Sequence, residues 1–420
     1  MLGLSAMRIL HISTRLILGG SQENTVLSCE GQAALGHDVH LAYGPIYGPE
    51  GSLFDRASKF RTADGRGIHM HEVPNMVRQV DPRHDAKCLR QLRALIRTIR
   101  PDVVHTHSSK AGILGRAAAW AEGGRPDRPA DRPPIGVVHT IHGPPFHAHQ
   151  NPLVKWAYIW AERYAARRCH LIAGVADAMT RQFLDVGIGR PEQYSTVYSG
   201  MEVERYLNPD ARQTRAEMRA ALSLRDDDFV IGSVARLAEL KGHDDILDAL
   251  GEDLHVHPTW KLLWVGDGWW RDRLLARVSA MGLGNRVITT GLVPSERVPG
   301  YMRAMDVMVH ASYREGLPRT VPQALLCGTP VIATDVDGTR EACIEGRTGK
   351  LVPLGDRAAL RASVRWMFEH PSERLTLAMQ GRELCRDRFS TQTMVRDLEL
   401  FYAKAFAMAG GGAWRVGAGA

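Results

Sequence analysis

A chain of 420 residues, 44% hydrophobic and 24% charged, is too long for one ordinary domain and too apolar to be disordered, so two domains of about 150 to 200 residues each are expected. The balance of 53 basic to 46 acidic residues gives a net charge of +7, which favours phosphates, nucleotides or an acidic membrane surface as partners. There is no zinc-finger spacing, RNA-binding aromatic motif or dense basic arm, so nucleic acid is not expected; six dispersed cysteines without a CxxC pair suit reduced thiols in a cytoplasmic protein.

The N-terminal MLGLSAMRILHIS lacks a basic region ahead of a long apolar core. It reads as a first strand, RILHIS at 8–13, rather than a signal peptide, and no later apolar run is long enough to span a membrane. SQENTVLSCEGQAALG (21–36) follows as a helix ending at Gly36, and HDVHLAY (37–43) as a strand. LRQLRALIRTIR (89–100) is a helix closed by Pro101, and DVVHTH (102–107) is the next strand. The Pro- and Gly-rich EGGRPDRPADRPP (122–134) reads as a surface loop, because the strand pattern resumes in GVVHTIHG (136–143). A helix around 152–168 and the strands LIAGV (171–175) and YSTVYSG (194–200) complete a first domain.

The pattern then restarts. FVIGSVAR (229–236), KLLWVG (261–266), RVITTG (286–291), VMVHAS (307–312) and PVIATD (330–335) read as strands with helices between them. The expected class is α/β, with two doubly wound, Rossmann-like domains facing across a cleft, residues 1–205 and 206–388. A last helix is expected at 389–408, and the Gly/Ala-rich tail at 409–420 is expected to be disordered. Ligands of such sheets lie beyond the carboxyl ends of the strands, so the chemistry is expected in the loops that follow them.

Those loops carry polar residues in a suggestive order. Gly19 and Gly20 lead into a helix start, where close backbone approach suits an anion; as plain structure they make a tight turn. No GxGxxG follows, so a dinucleotide cofactor is not expected. Arg236 and Lys241, in ARLAELKG, put two cations beyond a strand end and would suit a diphosphate. Gly266, in GDGWW, opens another glycine-rich turn, and backbone near Val293 could pair with a base edge. In EGLPRTVPQALLCG, Glu315 precedes a helix that has Pro322 in its first turn and ends at Gly328. Gln323 is expected about two turns in. A carboxylate beside the bare amides of Gly316 and Leu317 suits a polyol next to a phosphate; the plain alternative is a capping acid and a surface glutamine.

Three features invite other readings. Asp335-Val336-Asp337 looks like a metal-binding Asp-x-Asp, but here it is a strand-end loop. His105, His107, His139, His142, His147 and His149 are expected in two strand-end loops, with no helical HExxH to make a zinc site; no metal is expected. The aromatic and arginine-rich LVKWAYIWAERYAARRC (153–169) reads as a core-facing helix. Its sharper reading, with Arg90, Arg93, Arg97 and Arg100 nearby, is a membrane-surface patch.

Taken together, ARLAELKG, VGDG, GLVP, EGLP, GTPVIATDVDG and GRTGKLVP resemble the retaining GT-B glycosyltransferases of glycosyltransferase family 4, group 1 type. The likeness runs over nearly the whole chain, is strongest at 229–353, and implies that the helix at 389–408 crosses back to the first domain. It implies a sugar transfer from a nucleotide-diphosphate sugar, UDP- or GDP-linked, to a hydroxyl of a glycan, a lipid-linked glycan or a small molecule, with no cofactor. It implies that Arg236 and Lys241 hold the diphosphate. Glu315 would bind the hydroxyls of the sugar, with Gly316, Leu317 and Pro318 beside it, and Gly19, Gly20, Gly266 and Val293 would line the donor. His142 matches the histidine on the acceptor side. Gln323 departs from the family, which usually has a second Glu there for the ribose; Gln can still pair with a diol but without charge. Ser21-Gln22 also replaces the commoner Ala-Glu. The alternatives are a nucleotide-sugar epimerase and a catalytically weakened nucleotide- or sugar-binding protein. The expected location is the cytoplasm, with peripheral contact at the inner face of an acidic membrane.

Overall fold

The computed structural model describes residues 6–47, 51–146 and 150–412. The chain divides into two units, Met1–Met201 with Thr391–Ala420, and Glu202–Ser390; the sequence reading set these joins at 205/206 and 388/389.

The first unit runs β1 (Arg8–Ser13), α1 (Gly20–Ala34), β2 (Asp38–Tyr43), α2 (Phe54–Lys59), β3 (Ile68–Glu72), α3 (Pro82–Ile99), β4 (Val103–His107), α4 (Ser109–Ala119), β5 (Gly136–Ile141), α5 (Pro152–Ala166), β6 (Leu171–Gly174), α6 (Asp177–Asp185) and β7 (Tyr194–Thr196). Its sheet has the order β3-β2-β1-β4-β5-β6-β7, with parallel pairing throughout. In register, Ile9 lies between Val39 and Val103. A strand buried on both faces reads as a continuous apolar run, and β1 and β4 meet that rule only in part, because His11, His105 and His107 lie inside them.

The second unit runs α7 (Val203–Leu207), α8 (Arg215–Ala221), β8 (Phe229–Val234), α9 (His243–Val256), β9 (Trp260–Val265), α10 (Arg271–Ala280), β10 (Val287–Thr289), α11 (Val298–Ala304), β11 (Val307–His310), α12 (Thr320–Leu326), β12 (Val331–Thr334), β13 (Gly349–Val352), α13 (Arg357–Glu369) and α14 (Pro371–Arg388). Its sheet order is β10-β9-β8-β11-β12-β13, again parallel. Phe229, Ile231, Trp260, Trp264, Leu250 and Val309 form its core. The final helix, α15 (Thr391–Met408), belongs to the first unit, where Val395, Leu398, Phe401 and Tyr402 pack with Met7, Ile9, Val103 and Val138.

Two strands escaped the sequence reading. IHMHE of β3 pairs only with β2 and has no apolar run to announce it. GKLV of β13 is likewise an edge strand. The Ala/Gly-rich α4 was also missed, since SKAGILGRAAA has no strong apolar stripe. The expected surface loop at 122–134 starts buried: Trp120–Gly124 is a single π turn, and the Glu122 carboxylate takes Arg93 at 2.6 Å and Arg97 at 2.8 Å. These two arginines are thereby committed to a structural ion cluster, which removes half of the arginine patch expected on α3. The tail beyond residue 412 lies outside the described residues.

In each sheet the strand order reverses once, between β1 and β4 in the first unit and between β8 and β11 in the second. The loops after those strands diverge there, and the fold leaves room for a ligand.

Candidate active site

In the second unit, the site is assembled from the loops after β8 and β11. Beyond β8, Leu237 and Ala238 are buried and tie the loop down. Glu239–Lys241 makes one tight turn that Gly242 ends at φ +70°. A Cβ on Gly242 would fall 2.1 Å from the carbonyl oxygen of Ala311. Only glycine allows both that conformation and that approach. The closeness lets the Tyr313 N–H donate to the Leu240 carbonyl at 3.0 Å and the Ser312 hydroxyl at 3.3 Å. The two loops are therefore locked side by side.

This lock brings Lys241 Nζ to 2.6 Å from Glu315 Oε1. His310, which ends β11, brings Nε2 to 3.3 Å of the same oxygen, close enough to act through charge but not aligned as a hydrogen bond. Burial alone would raise the Glu315 pKa; His310 and Lys241 outweigh it and hold the carboxyl far below the usual range. The loop after β12 supports the backbone: Asp337 accepts the Glu315 N–H at 2.7 Å, and the Gly338 N–H donates to the Gly316 carbonyl at 3.1 Å. Asp335 is held by a two-pronged pair with Arg340. Both acids of the Asp-x-Asp stretch thus have structural tasks. Among the described residues, no protein acceptor takes the N–H of Gly316 or Leu317.

The other expected donor-side residues are placed as follows. Arg236 is exposed, with its guanidinium 5.5 Å over the Trp269 ring; among the described residues, no hydrogen bond or ion pair joins it to Lys241 or Glu315. Gly266, at φ +138°, comes so near β8 that a Cβ would sit 2.2 Å from the Ala235 carbonyl, next to Arg236. Val293 is half-buried after β10, and Pro318 is buried and accepts the Val321 N–H at 3.1 Å. Gln323 is the fourth residue of α12, one turn in and not two, because the helix begins only at Thr320. It is buried rather than on the surface.

The first unit holds Gly19, Gly20 and His142. Gly19 precedes α1 and accepts the Glu23 N–H at 2.9 Å. His142 Nε2 lies 3.1 Å from His107 Nδ1. From there a chain of bonds runs inward: His107 Nε2 to His11 Nδ1 at 2.9 Å, His11 Nε2 to Gln32 Oε1 at 2.7 Å, and Gln32 Nε2 to the Tyr402 hydroxyl at 3.0 Å. Tyr402 in turn meets His105 Nδ1 at 2.5 Å, and His105 Nε2 meets the Thr140 hydroxyl at 2.7 Å. His105, His107 and His139 were expected in loops but lie in strands β4 and β5, fully inside; His147 and His149 lie outside the described residues. Ligand-capable atoms of His11, His105 and His107 come within 4.8 Å of one another, yet both ring nitrogens of each are already hydrogen-bonded. Burial lowers the His11 pKa to about 4 and takes His105, His107 and His139 well below their ordinary value, so these four rings are neutral near pH 7.

Sequence reasoning missed His310, whose only signal was its place five residues before Glu315 at a strand end. It also missed Asp337 as the acceptor that fixes the Glu315 backbone, and the Gln32–Tyr402 arm of the histidine network, which joins positions 370 residues apart.

The comparisons with known proteins agree with this geometry. Residues 214–384 match the model "Glycosyl transferases group 1", and residues 19–200 match "Glycosyl transferase 4-like domain". The 2-deoxystreptamine N-acetyl-D-glucosaminyltransferase of Streptomyces fradiae is 31% identical over 333 residues, 76% of this chain and 75% of that protein. The UDP-Gal:alpha-D-GlcNAc-diphosphoundecaprenol alpha-1,3-galactosyltransferase of Escherichia coli is 27% identical over 84% of this chain and 85% of its own length. Among solved structures, Anabaena HepE in complex with UDP-glucose superposes with a TM-score of 0.75 at 21% identity, covering 94% of this chain and 99% of that one. Sucrose-phosphate synthase from Thermosynechococcus elongatus reaches 0.78 at 20% identity, over 96% and 99%. These matches favour an enzyme over a binding module, and the chain belongs to the group 1, glycosyltransferase 4-like family of GT-B glycosyltransferases.

Proposed function

We propose that this glycosyltransferase is retaining and metal-independent, and that it moves a sugar from a UDP- or GDP-linked donor to a hydroxyl of a glycan or lipid-linked glycan. The observation that carries this reading is the Lys241–Glu315 pair at the switch point of the second sheet, next to two backbone amides with no protein acceptor among the described residues. Lys241 and Arg236 stabilise the negative charge that grows on the diphosphate as the bond to the sugar breaks. Glu315, kept ionised by His310 and Lys241, accepts hydrogen bonds from sugar hydroxyls and fixes the ring. The amides of Gly316 and Leu317 bind phosphate oxygens. Gln323 meets the ribose diol with one acceptor and one donor, Gly266 and Val293 border the base, and Gly19 and Gly20 approach the phosphates. His142 orients the acceptor. The departing diphosphate takes the proton of the attacking hydroxyl, on the face from which it leaves, so no second carboxylate is required.

We further propose that the enzyme works in the cytoplasm against the inner face of an acidic membrane, which its net charge of +7 supports. No helix among the described residues is long and apolar enough to cross a membrane. The test is donor turnover. Wild-type protein is expected to release nucleoside diphosphate slowly from a UDP-sugar without acceptor, and Lys241→Ala and Glu315→Gln are each expected to slow it; unchanged turnover in both variants overturns the assignment.

A further inference from the structure

At the switch point of the first sheet lies a cavity of about 630 Å³, a size that suits a small-molecule ligand. Its lining has two characters. From the loops after β1 and β4 come Thr14 and Ser108, whose hydroxyls share a 2.8 Å hydrogen bond, together with Arg15 and Lys110. Arg15 is buried; its guanidinium donates to the Tyr47 carbonyl at 3.2 Å and lies 5.2 Å from that ring. Lys110 is balanced by Asp85 at 2.5 Å. Among the described residues, the lining holds three cations, Arg15, Arg78 and Lys110, and one acid, Asp85. From α4 and α5, by contrast, come Ile113, Leu114, Val154, Ala157 and Tyr158.

The outward face of α5 continues the apolar part. Ile159, Glu162, Ala165 and Ala166 are its buried residues, and Glu162 is fixed to Arg116 of α4 at 2.6 Å. That leaves a stripe at helical spacing facing out: Leu153 is 81% exposed, Trp156 56% and Trp160 70%, with Tyr164 beyond them. The core-facing reading of this helix holds for Ile159, Ala165 and Ala166 but not for its aromatic stripe. Glu162, buried and paired, is the only acid of α5. The charges beside the stripe, Lys155, Arg167 and Arg168, are all basic, and Arg168 stacks 3.6 Å from the Tyr164 ring.

We propose that the cavity takes the acceptor as a lipid with an anionic head and a long apolar chain, and that α5 lies in the interface of an anionic bilayer from which this lipid enters. The proposal rests on the reading of the enzyme as a sugar transferase and names the acceptor class of its first unit. A soluble sugar would be poorly matched by the α4 and α5 walls, and a purely apolar ligand by Arg15, Thr14 and Ser108. Trp and Tyr prefer the headgroup level of a membrane, and unbalanced Lys and Arg beside them favour anionic lipid.

The experiment uses the full chain. Flotation with vesicles of phosphatidylcholine, with and without phosphatidylglycerol, should show binding only to the anionic set, and Trp156→Ser with Trp160→Ser should weaken it about tenfold or more. In thermal shift with UDP saturating the site of the second unit, farnesyl diphosphate should stabilise the protein further and inorganic diphosphate should not. Ala157→Trp, at an exposed position that fills the cavity, should abolish that shift while the shift with UDP persists, and the milder Ala157→Leu should reduce it. Equal binding to neutral vesicles, no response to the Trp pair, or self-association through α5 that disappears in the Trp variant would overturn the membrane arm. A shift with inorganic diphosphate equal to that with farnesyl diphosphate would overturn the lipid cavity. Loss of the UDP shift in wild-type protein would instead strike the transferase reading.

Discussion

The two sheets reverse their strand order in the same way, between β1 and β4 and between β8 and β11, but furnish that place differently. In the second unit the strands are apolar and the charge sits in the loops just beyond them, where Lys241 meets Glu315. In the first unit polar groups also lie within the strands as a histidine network, the loops contribute hydroxyls beside Arg15 and Lys110, and a fully buried ion pair, Arg116–Glu162, joins α4 to α5. Both units carry charge in the loops at their switch point; the first also uses charge and imidazole inside, to hold its own elements together. The lesson is that one topology sets where a ligand sits and leaves open what binds it.

The sharpest way to break this contrast is acid. His11, His105, His107, His139 and His170 have folded pKa values held below the ordinary value of 6.5 by burial, those of His11 and His170 to about 4. A depressed pKa means that the unfolded chain binds more protons below pH 6.5, so stability is full above that pH and falls as pH drops toward the folded values. Each group removes about 1.4 kcal/mol per pH unit in that window. Such groups are concentrated in the first unit, so acid should weaken it first. In the second unit His243 behaves this way, and the depressed Glu315 loses its contribution only at much lower pH, as it becomes protonated. Hydrogen exchange pulsed near pH 5 should therefore strip protection from residues 8–141 and 391–408 before residues 229–352; simultaneous loss would end the distinction.

Arg116→Met comes next. It leaves Glu162 buried without its partner and should cost about 3 to 5 kcal/mol in urea unfolding, with most recovered when Glu162→Leu is added. Lys241→Ala should do the opposite. It should change unfolding little and remove about 2 to 4 kcal/mol of transition-state stabilisation, read as donor turnover. The smallest single contribution is the conformational one in Gly242→Ala. A left-handed non-glycine residue costs about 1 to 3 kcal/mol, and a methyl group 2.1 Å from the Ala311 carbonyl must push the two loops apart. Turnover should fall with stability in that variant, whereas stability loss alone would show that the Lys241 loop does not depend on the approach.

The sequence was most legible where local chemistry and tertiary role coincide. FVIGSV and VIAT, rich in β-branched residues, became β8 and β12. Glu315 and Lys241 stood out because glycine and proline turns mark the loops that carry them. Edge strands such as IHMHE were silent, because half their residues answer to solvent. The outward face of α5 was also hidden: a period of 3.6 shows that a helix has a stripe of aromatics but not which neighbour, if any, covers it. The commitment of Arg93 and Arg97 to Glu122 depends on a partner 25 to 29 residues away in a proline-rich stretch, and no local pattern encodes such a distance.

The helix Thr391–Met408 makes the first unit depend on residues at the far end of the chain. Tyr402 closes the network to Gln32 and His105, and Glu399 holds His37 at 2.7 Å. As the chain leaves the ribosome, these partners emerge only after all of Glu202–Ser390 has been synthesised. The part made first must wait, unfinished, while the part made second can already fold. An excised fragment of residues 1–201 would keep every strand of its sheet and still lack the piece that seals it.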